Sequence, residues 1–269
     1  MWFFIAGFMI GLANPIPGVS GGTMALVMGV YEETLDAIDD LFKRKWGSLK
    51  KLAPMGIGIV TAVFAFSKLM EYFLAHHPTP TKFFFLGLVL VSFVRIAKNS
   101  SSSGKNVLLG VVGGVLIVSL RFLKISHTGE LSLFGAFLAG TIGAFAMVVP
   151  GVSGSLVLLA LGLYEGTLRA VAHVELFKIL ALGVGIALGL LLSVKAMRFL
   201  LKNYRKEVYS FIAGMVLASV LDLWPTGKVD LRTGIWSIST FLGSILLMRF
   251  LSKLEGRFTS CSRHEGPVL

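Results

Sequence analysis

The chain has 269 residues, of which 55% are hydrophobic and only 14% charged, and its mean hydropathy is +0.83. Those values lie outside the range of a soluble globular domain and define an integral membrane protein. The net charge of +11 belongs in such a protein to basic loops and anionic lipid rather than to nucleic acid, and a single cysteine, Cys261, excludes an internal disulfide or a cysteine metal cage.

Residues 1–31 are apolar except around Asn14-Pro15-Ile16-Pro17-Gly18-Val19-Ser20-Gly21-Gly22-Thr23. Proline lacks an amide hydrogen and clashes with the preceding turn, and glycine favours no single conformation, so a helix breaks here. Backbone released from helical bonding at membrane depth is tolerated only where protein or a wet cavity covers it. The break is therefore a candidate binding site. The stretch has no basic leading region and runs past residue 30, which marks it as part of the mature fold rather than a signal peptide.

The break recurs. Pro150-Gly151-Val152-Ser153-Gly154 repeats Pro17-Gly18-Val19-Ser20-Gly21 at an offset of 133 (150 − 17), and Ala6, Gly7, Leu26, Gly29, Tyr31, Glu32, Thr34 and Leu35 have identical residues at the same offset. After a shorter loop the offset becomes 127 (183 − 56), pairing Gly56 with Gly183, Gly58 with Gly185, Lys68 with Lys195, Phe84 with Phe211 and Gly87 with Gly214. This is the pattern of a tandem duplication. Apolar runs at 52–74, 83–94, 107–120, 176–194, 208–223 and 235–247 follow the two breaks in threes, and most are long enough for a bilayer core of about 30 Å. The expected units are a first repeat, 1–124, opening with a hairpin at 1–31, and a second, 133–252, opening with a hairpin at 133–164. A polar tail, 253–269, follows.

Each broken segment is either one long interrupted crossing or a re-entrant hairpin that enters and leaves on one side. Loop charge decides between them. With a hairpin and three spans per unit, Lys43-Arg44-Lys45, Lys50-Lys51, Lys98, Lys105, Arg198, Lys202, Arg205, Lys206 and the basic tail share one side, while Lys82, Arg121, Lys124, Arg169, Lys178, Lys228 and Arg232 share the other. The heavier side is cytoplasmic by the positive-inside rule. The expected fold is all-α, with two inverted-topology repeats, each a re-entrant helical hairpin plus three transmembrane helices, and with both termini cytoplasmic.

Smaller features have plain readings. His76-His77 before Pro78 and Pro80 reads as an exposed turn rather than a metal pair, and glycines inside the spans read as close helix packing. Tyr204, Tyr209, Trp224 and Trp236 read as interfacial anchors.

A helix beginning at mid-membrane offers unpaired amides and a positive dipole end, so Gly18, Val19, Ser20, Gly21, Gly22 and Thr23 form one candidate phosphate site. Gly151, Val152, Ser153, Gly154 and Ser155 form a second, with Pro15, Pro17 and Pro150 as the helix breaks. Their hydroxyls suit phosphate oxygens and could equally accept a cation. Charges within spans are functional candidates by default: Lys68, its mate Lys195, and Arg95, whose planar fork suits phosphate. Snorkelling is the alternative for both lysines. Glu32 and Glu165 are candidate proton carriers, the alternative being helix capping by Thr34 and Thr167 with nearby acids.

These residues resemble a family of bacterial polyprenyl-phosphate translocases, the PopT family. The resemblance is carried by the Asn14 to Thr23 motif, by Tyr31-Glu32 and by the second Pro150-Gly151-Val152-Ser153-Gly154, and it covers nearly the whole chain. In the second copy Met147 and Val148 replace Asn14 and Pro15, and Ser155 replaces Gly22. The resemblance implies return of undecaprenyl phosphate from the outer to the inner leaflet of the bacterial plasma membrane, for carrier-lipid recycling in cell-wall synthesis. Expected partners are a polyprenyl phosphate lipid and membrane lipids, with a homo-oligomer allowed and no nucleic acid, cofactor or metal. A transporter or channel for a small soluble anion is the rival reading. An intramembrane serine hydrolase is more distant: Gly18-Val19-Ser20-Gly21-Gly22 fits a nucleophile pattern, but every histidine falls in a loop or the tail and no strand precedes the serine.

Overall fold

In the computed structural model, residues 1–13, 20–101, 103–123, 131–224 and 230–264 are described, without the side chains of 67, 71, 222, 252 and 254–264. The described residues form helices and turns only. In the first half these are α1 (Trp2–Ala13), α2 (Gly21–Val27), α3 (Tyr31–Phe42), a 3-10 turn at Trp46–Ser48, α4 (Leu49–His76), α5 (Pro78–Lys98) and α6 (Gly104–Phe122). The second half has α7 (Leu133–Val148), α8 (Gly154–Ala160), α9 (Tyr164–Ala172), α10 (Leu176–Asn203), α11 (Arg205–Leu223) and α12 (Leu231–His264). The starts of α2 and α3 lie 133 residues before those of α8 and α9, and the starts of α4, α5 and α6 lie 127 residues before those of α10, α11 and α12.

Local chemistry sets these boundaries. Pro78 opens α5, where its missing amide costs nothing, and the single residue His77 turns the chain out of α4. Tyr204 makes the same turn between α10 and α11 with nearly the same backbone angles. Gly29 and Gly162 follow the short helices α2 and α8 at φ 69° and 71°, a left-handed conformation that strains any other residue.

Among the described residues, five helices are long and apolar enough to cross a membrane: Trp46–Phe66, Pro78–Lys98, Gly104–Phe122, Leu176–Asn203 and Leu231–Leu251. The apolar run at 83–94 thus spans by recruiting both flanks. α8 and α9 meet at a bend of 111°. At 12 and 16 residues, α1 and α7 reach about 18 and 24 Å, less than a bilayer core.

Glycine lets the helices pack closely. α1 lies on α4 and α7 on α10, and a Cβ on Gly58 or Gly185 would collide with the Phe4 or Phe137 carbonyl oxygen respectively. The halves are joined by α5 on α12, α6 on α11 and α5 on α11. Leu88, Ile117, Ile212 and Met215 are fully buried on those helices, as are Met24 on α2 and Met28 at its end. Large apolar side chains such as Phe64, Val111, Phe177, Val184 and Leu246 face outward, as a surface in contact with lipid tails requires.

The capping expected of Thr34 and Thr167 is not what the helices show. Each residue sits inside its helix, and its hydroxyl donates four residues back, to Val30 O (2.7 Å) and Leu163 O (2.8 Å). The helix starts at Val30 and Leu163 carry no side-chain cap.

Candidate functional site

The start of α2, just after the first break, is closed by its own hydroxyls. Ser20 caps α2, its Oγ accepting from the Thr23 amide at 3.1 Å and lying 2.8 Å from Thr23 Oγ1. Both oxygens also accept from the Gly151 amide, at 3.2 and 2.8 Å. Gly151 holds φ at 85°, and a Cβ there would meet the Met215 side chain and the backbone of α11. Tyr31 adds a bond from its hydroxyl to Val148 O at 2.9 Å. The start of α2 is thereby fastened to the loop of the second break, with Ser20, Gly21, Gly22, Thr23, Pro150, Gly151 and Val152 all buried. Pro15, Pro17, Gly18 and Val19 lie outside the described residues.

The second break is open. Ser153 precedes α8 without a capping bond, and its hydroxyl lies 2.8 Å from that of Ser155, which is exposed. Two hydroxyls sharing one bond keep one O–H donor and several lone pairs for a ligand. They line a cavity of about 430 Å³ together with Ser20, Gly21, Val152 and Gly154. Its other walls are mostly apolar, from Gly140 and Met147 on α7 and Leu182, Ile186 and Leu190 on α10, with Thr167 on α9. α2 and α8 have seven residues each, fewer than two turns, so hydroxyl and amide donors matter more here than a summed dipole.

The expected charges sit elsewhere. Arg95 donates to Val27 O, the last carbonyl of α2, at 2.5 Å. It lines cavities of about 470 and 320 Å³ beside the end of α2. Lys68 and Lys195 are exposed on α4 and α10. Lys195 borders a fourth cavity, about 530 Å³, with Glu32, Asp36, Asp39, Arg198 and Arg205. None of the three cations lines the Ser153 cavity.

In and beside that fourth cavity sit Asp36, Asp39, Arg198, Arg205 and Tyr209, whose pairing was missed from sequence. Glu32 accepts two bonds from Arg205, at 3.0 and 2.7 Å, and one from the Tyr209 hydroxyl at 2.7 Å. Arg198 pairs with Asp36 at 2.7 Å and with the buried Asp39, which Lys43 also reaches at 2.6 Å. Arg198 and Arg205 had read as positive-inside charges and Tyr209 as an interfacial anchor. The available signal was Glu32, Asp36 and Asp39 at one face of α3, spaced four and three residues apart. Glu165, the counterpart of Glu32, is exposed.

Among the described residues no group of three His, Cys, Asp or Glu could hold a metal. The His76 ring nitrogen lies 3.0 Å from Tyr72 O, and His77 stacks on Trp236.

Several long apolar helices, with a small hydroxyl-lined cavity beside the start of α8, define a multi-pass membrane protein. Residues 10–237 match the family described as VCA0040-like, undecaprenyl phosphate translocase-like. The chain belongs to that family. It is 30% identical over 268 residues to a polyprenyl-phosphate transporter of Vibrio cholerae serotype O1, covering 94% of this chain and 85% of that one. To a polyprenyl-phosphate transporter of Staphylococcus aureus it is 28% identical over 269 residues, covering 93% and 95%. No solved structure matches.

Proposed function

We propose that the protein carries undecaprenyl phosphate from the outer to the inner leaflet of the bacterial plasma membrane, returning the carrier lipid for cell-wall synthesis. The observation that carries this reading is the Ser153 cavity: a polar floor of hydroxyls and glycine backbone between apolar walls. Such a site suits a phosphate whose tail stays in lipid. An ion moved into hydrocarbon loses hydration worth several kcal/mol even after relaxation, so the protein need only shelter the head group.

In this reading residues 1–124 and 133–252 are inverted repeats, each a re-entrant hairpin followed by three spans, with both termini cytoplasmic. The cluster of Lys43, Lys195, Arg198 and Arg205 marks the cytoplasmic end. Rocking of one half against the other exposes the head group to each leaflet in turn. Ser153 and Ser155 receive it from outside, and Arg95 and Lys195 supply positive charge on the inner side. No bond of the lipid is broken.

The test is movement itself. In vesicles holding the purified protein, a polyprenyl phosphate placed in the outer leaflet reaches the inner one faster than in empty vesicles, and Arg95→Ala slows it. Movement no faster than in empty vesicles, under a pH or sodium gradient of either sign, together with uptake of soluble phosphate, would replace this reading with a soluble-anion transporter.

A further inference from the structure

α5 and α12 run side by side from Pro80, whose carbonyl accepts from Thr240, to Gly87, where a Cβ would collide with the Ser244 hydroxyl and the Phe241 carbonyl oxygen. One turn further along they part. Ser92 on α5 and Met248 with Arg249 on α12 line a cavity of about 320 Å³, which Arg95 and Lys98 border from the next turn of α5. Among the described residues its lining holds three cations and no carboxylate. Around the neighbouring cavity that Arg95 shares with Glu32 and Glu33, cations are instead interleaved with acids: Arg205 with Glu32, Lys51 with Glu33, and Arg198 beyond them with Asp36 and Asp39. Val94, also in the lining of the cation cavity, is exposed, as are Leu246 and Phe250 on α12. The cavity therefore opens on a surface that faces lipid.

Helix α2 connects this cavity to the one at Ser153. Ser20 and Gly21, at its start, line the Ser153 cavity, and Val27, at its end, lines the cation cavity. Its seven residues set the two about 10 Å apart along the helix. Arg95 holds the far end by donating to Val27 O. Duplication does not account for the cations: the offset of 127 takes Lys98 to Pro225 and leads back from Arg249 to Phe122, so neither has a charged counterpart in the other half. The positive-inside rule asks only for charge in loops, whereas these three groups meet at one cavity between two spans. Basic pockets between spans on the cytoplasmic side suit lipid head groups. A phosphate monoester carries up to about two negative charges, more than a phosphodiester, and so gains most from a lining with cations and no acid.

We propose that the cavity between α5 and α12 is a second head-group site for the polyprenyl phosphate, where Lys98, Arg249 and Arg95 hold its phosphate monoester at the end of α2 opposite the Ser153 cavity. This rests on the transport reading above and gives the head group a station on the cytoplasmic side. Lys98 and Arg249, both exposed, meet the phosphate at the mouth, and the tail lies past Val94 in lipid throughout. Arg95 ties occupancy of this site to α2, whose start is fastened to the Gly151 amide. Exposed charges bind weakly one at a time, so three of them can gather a doubly charged head group and still release it to the leaflet.

Photo-cross-linking tests this on the purified full-length protein in vesicles, with a polyprenyl phosphate that carries a photoreactive group beside its phosphate. The probe should label peptides from α8 and also from 91–98 or 246–251. K98Q/R249Q should lower the second labelling by about fivefold or more and leave that of α8 within about twofold, which shows that the variant is folded. The same variant should slow arrival of the lipid in the inner leaflet by about tenfold, while K98R/R249K, which keeps both charges, should stay within about threefold of the parent. The site is overturned if K98Q/R249Q is labelled and moves lipid as the parent does, or if K98R/R249K is as slow as K98Q/R249Q. It is overturned equally if phosphatidylglycerol or inorganic phosphate displaces the probe from 91–98 as well as unlabelled polyprenyl phosphate does, since the cations would then be a general anion patch. Labelling that depends on Lys98 and Arg249 in a protein that moves no polyprenyl phosphate would keep the site and remove the transport reading.

Discussion

At the first break Ser20 and Thr23 are 6% and 1% exposed and hold the Gly151 amide between them, whereas at the second Ser153 is half-buried and Ser155 faces a cavity. The sequence difference behind this is small. The first copy reads Ser20-Gly21-Gly22-Thr23 and the second Ser153-Gly154-Ser155-Leu156. A hydroxyl three residues after the cap sits over the helix start, where it can saturate the capping serine. Ser155, two residues after Ser153, also reaches the serine at 2.8 Å, but Ser153 caps no amide of α8 and Leu156 supplies no hydroxyl. Gly22 is also tightly packed, since a Cβ there would lie 3.0 Å from Val148 O. One copy of the motif thus serves as a fastener and the other as an open, hydroxyl-bearing face.

The strongest way to break this comparison is through stability. Ser20→Ala with Thr23→Val removes both acceptors of the Gly151 amide in a buried site, and an orphaned donor there costs about 1–3 kcal/mol. The unfolding midpoint in detergent should fall accordingly. An unchanged midpoint would mean that the first break fastens nothing.

Much of this fold was legible because lipid permits few solutions. Apolar runs, prolines and glycines marked where helices run and stop, and the helices extend beyond the runs into their polar flanks, as when 83–94 became Pro78–Lys98. The pairing of Glu32 with Arg205, 173 residues away, was not legible. Loop charge counts treat Arg198 and Arg205 as solvated, and only the packing of α3 on α10, with Glu32 reaching the start of α11, gives them partners. Nor could the sequence separate the roles of Ser20 and Ser153: both precede a glycine at a helix start, and their difference lies in a contact made through Gly151. Arg95 read as a phosphate ligand because a buried cation is costly, yet its fork is engaged at the last carbonyl of α2, where a cation is also favoured.

The reciprocal experiment sharpens the comparison at the second break. Ser153→Ala with Ser155→Ala removes hydroxyls from a cavity wall rather than from a buried joint, so stability should stay within about 0.5 kcal/mol of the parent. Binding of a polyprenyl phosphate should weaken by about 0.5–1.5 kcal/mol for each hydroxyl lost, read by titration against the purified protein. Lost stability with unchanged binding would exchange the roles of the two breaks.

The smallest effects are expected at Lys68 and Lys195, which hold matched positions on α4 and α10 and are both exposed. Lys68 has no ion pair among the described residues, and a long apolar stem lets its ammonium reach the interface from within a span. Lys68→Gln should therefore change stability by less than about 0.5 kcal/mol and leave lipid movement close to that of the parent. Lys195 instead borders the cavity where Glu32, Asp36 and Asp39 meet Arg198 and Arg205. Its removal makes that cavity more negative, which disfavours an arriving phosphate. Lys195→Gln should slow movement at low salt, and the deficit should shrink as ionic strength rises and screening shortens the reach of the remaining acids. Equal effects of the two substitutions at every salt concentration would mean that the halves use these lysines alike, and the division of labour seen at the two breaks would then not extend along α4 and α10.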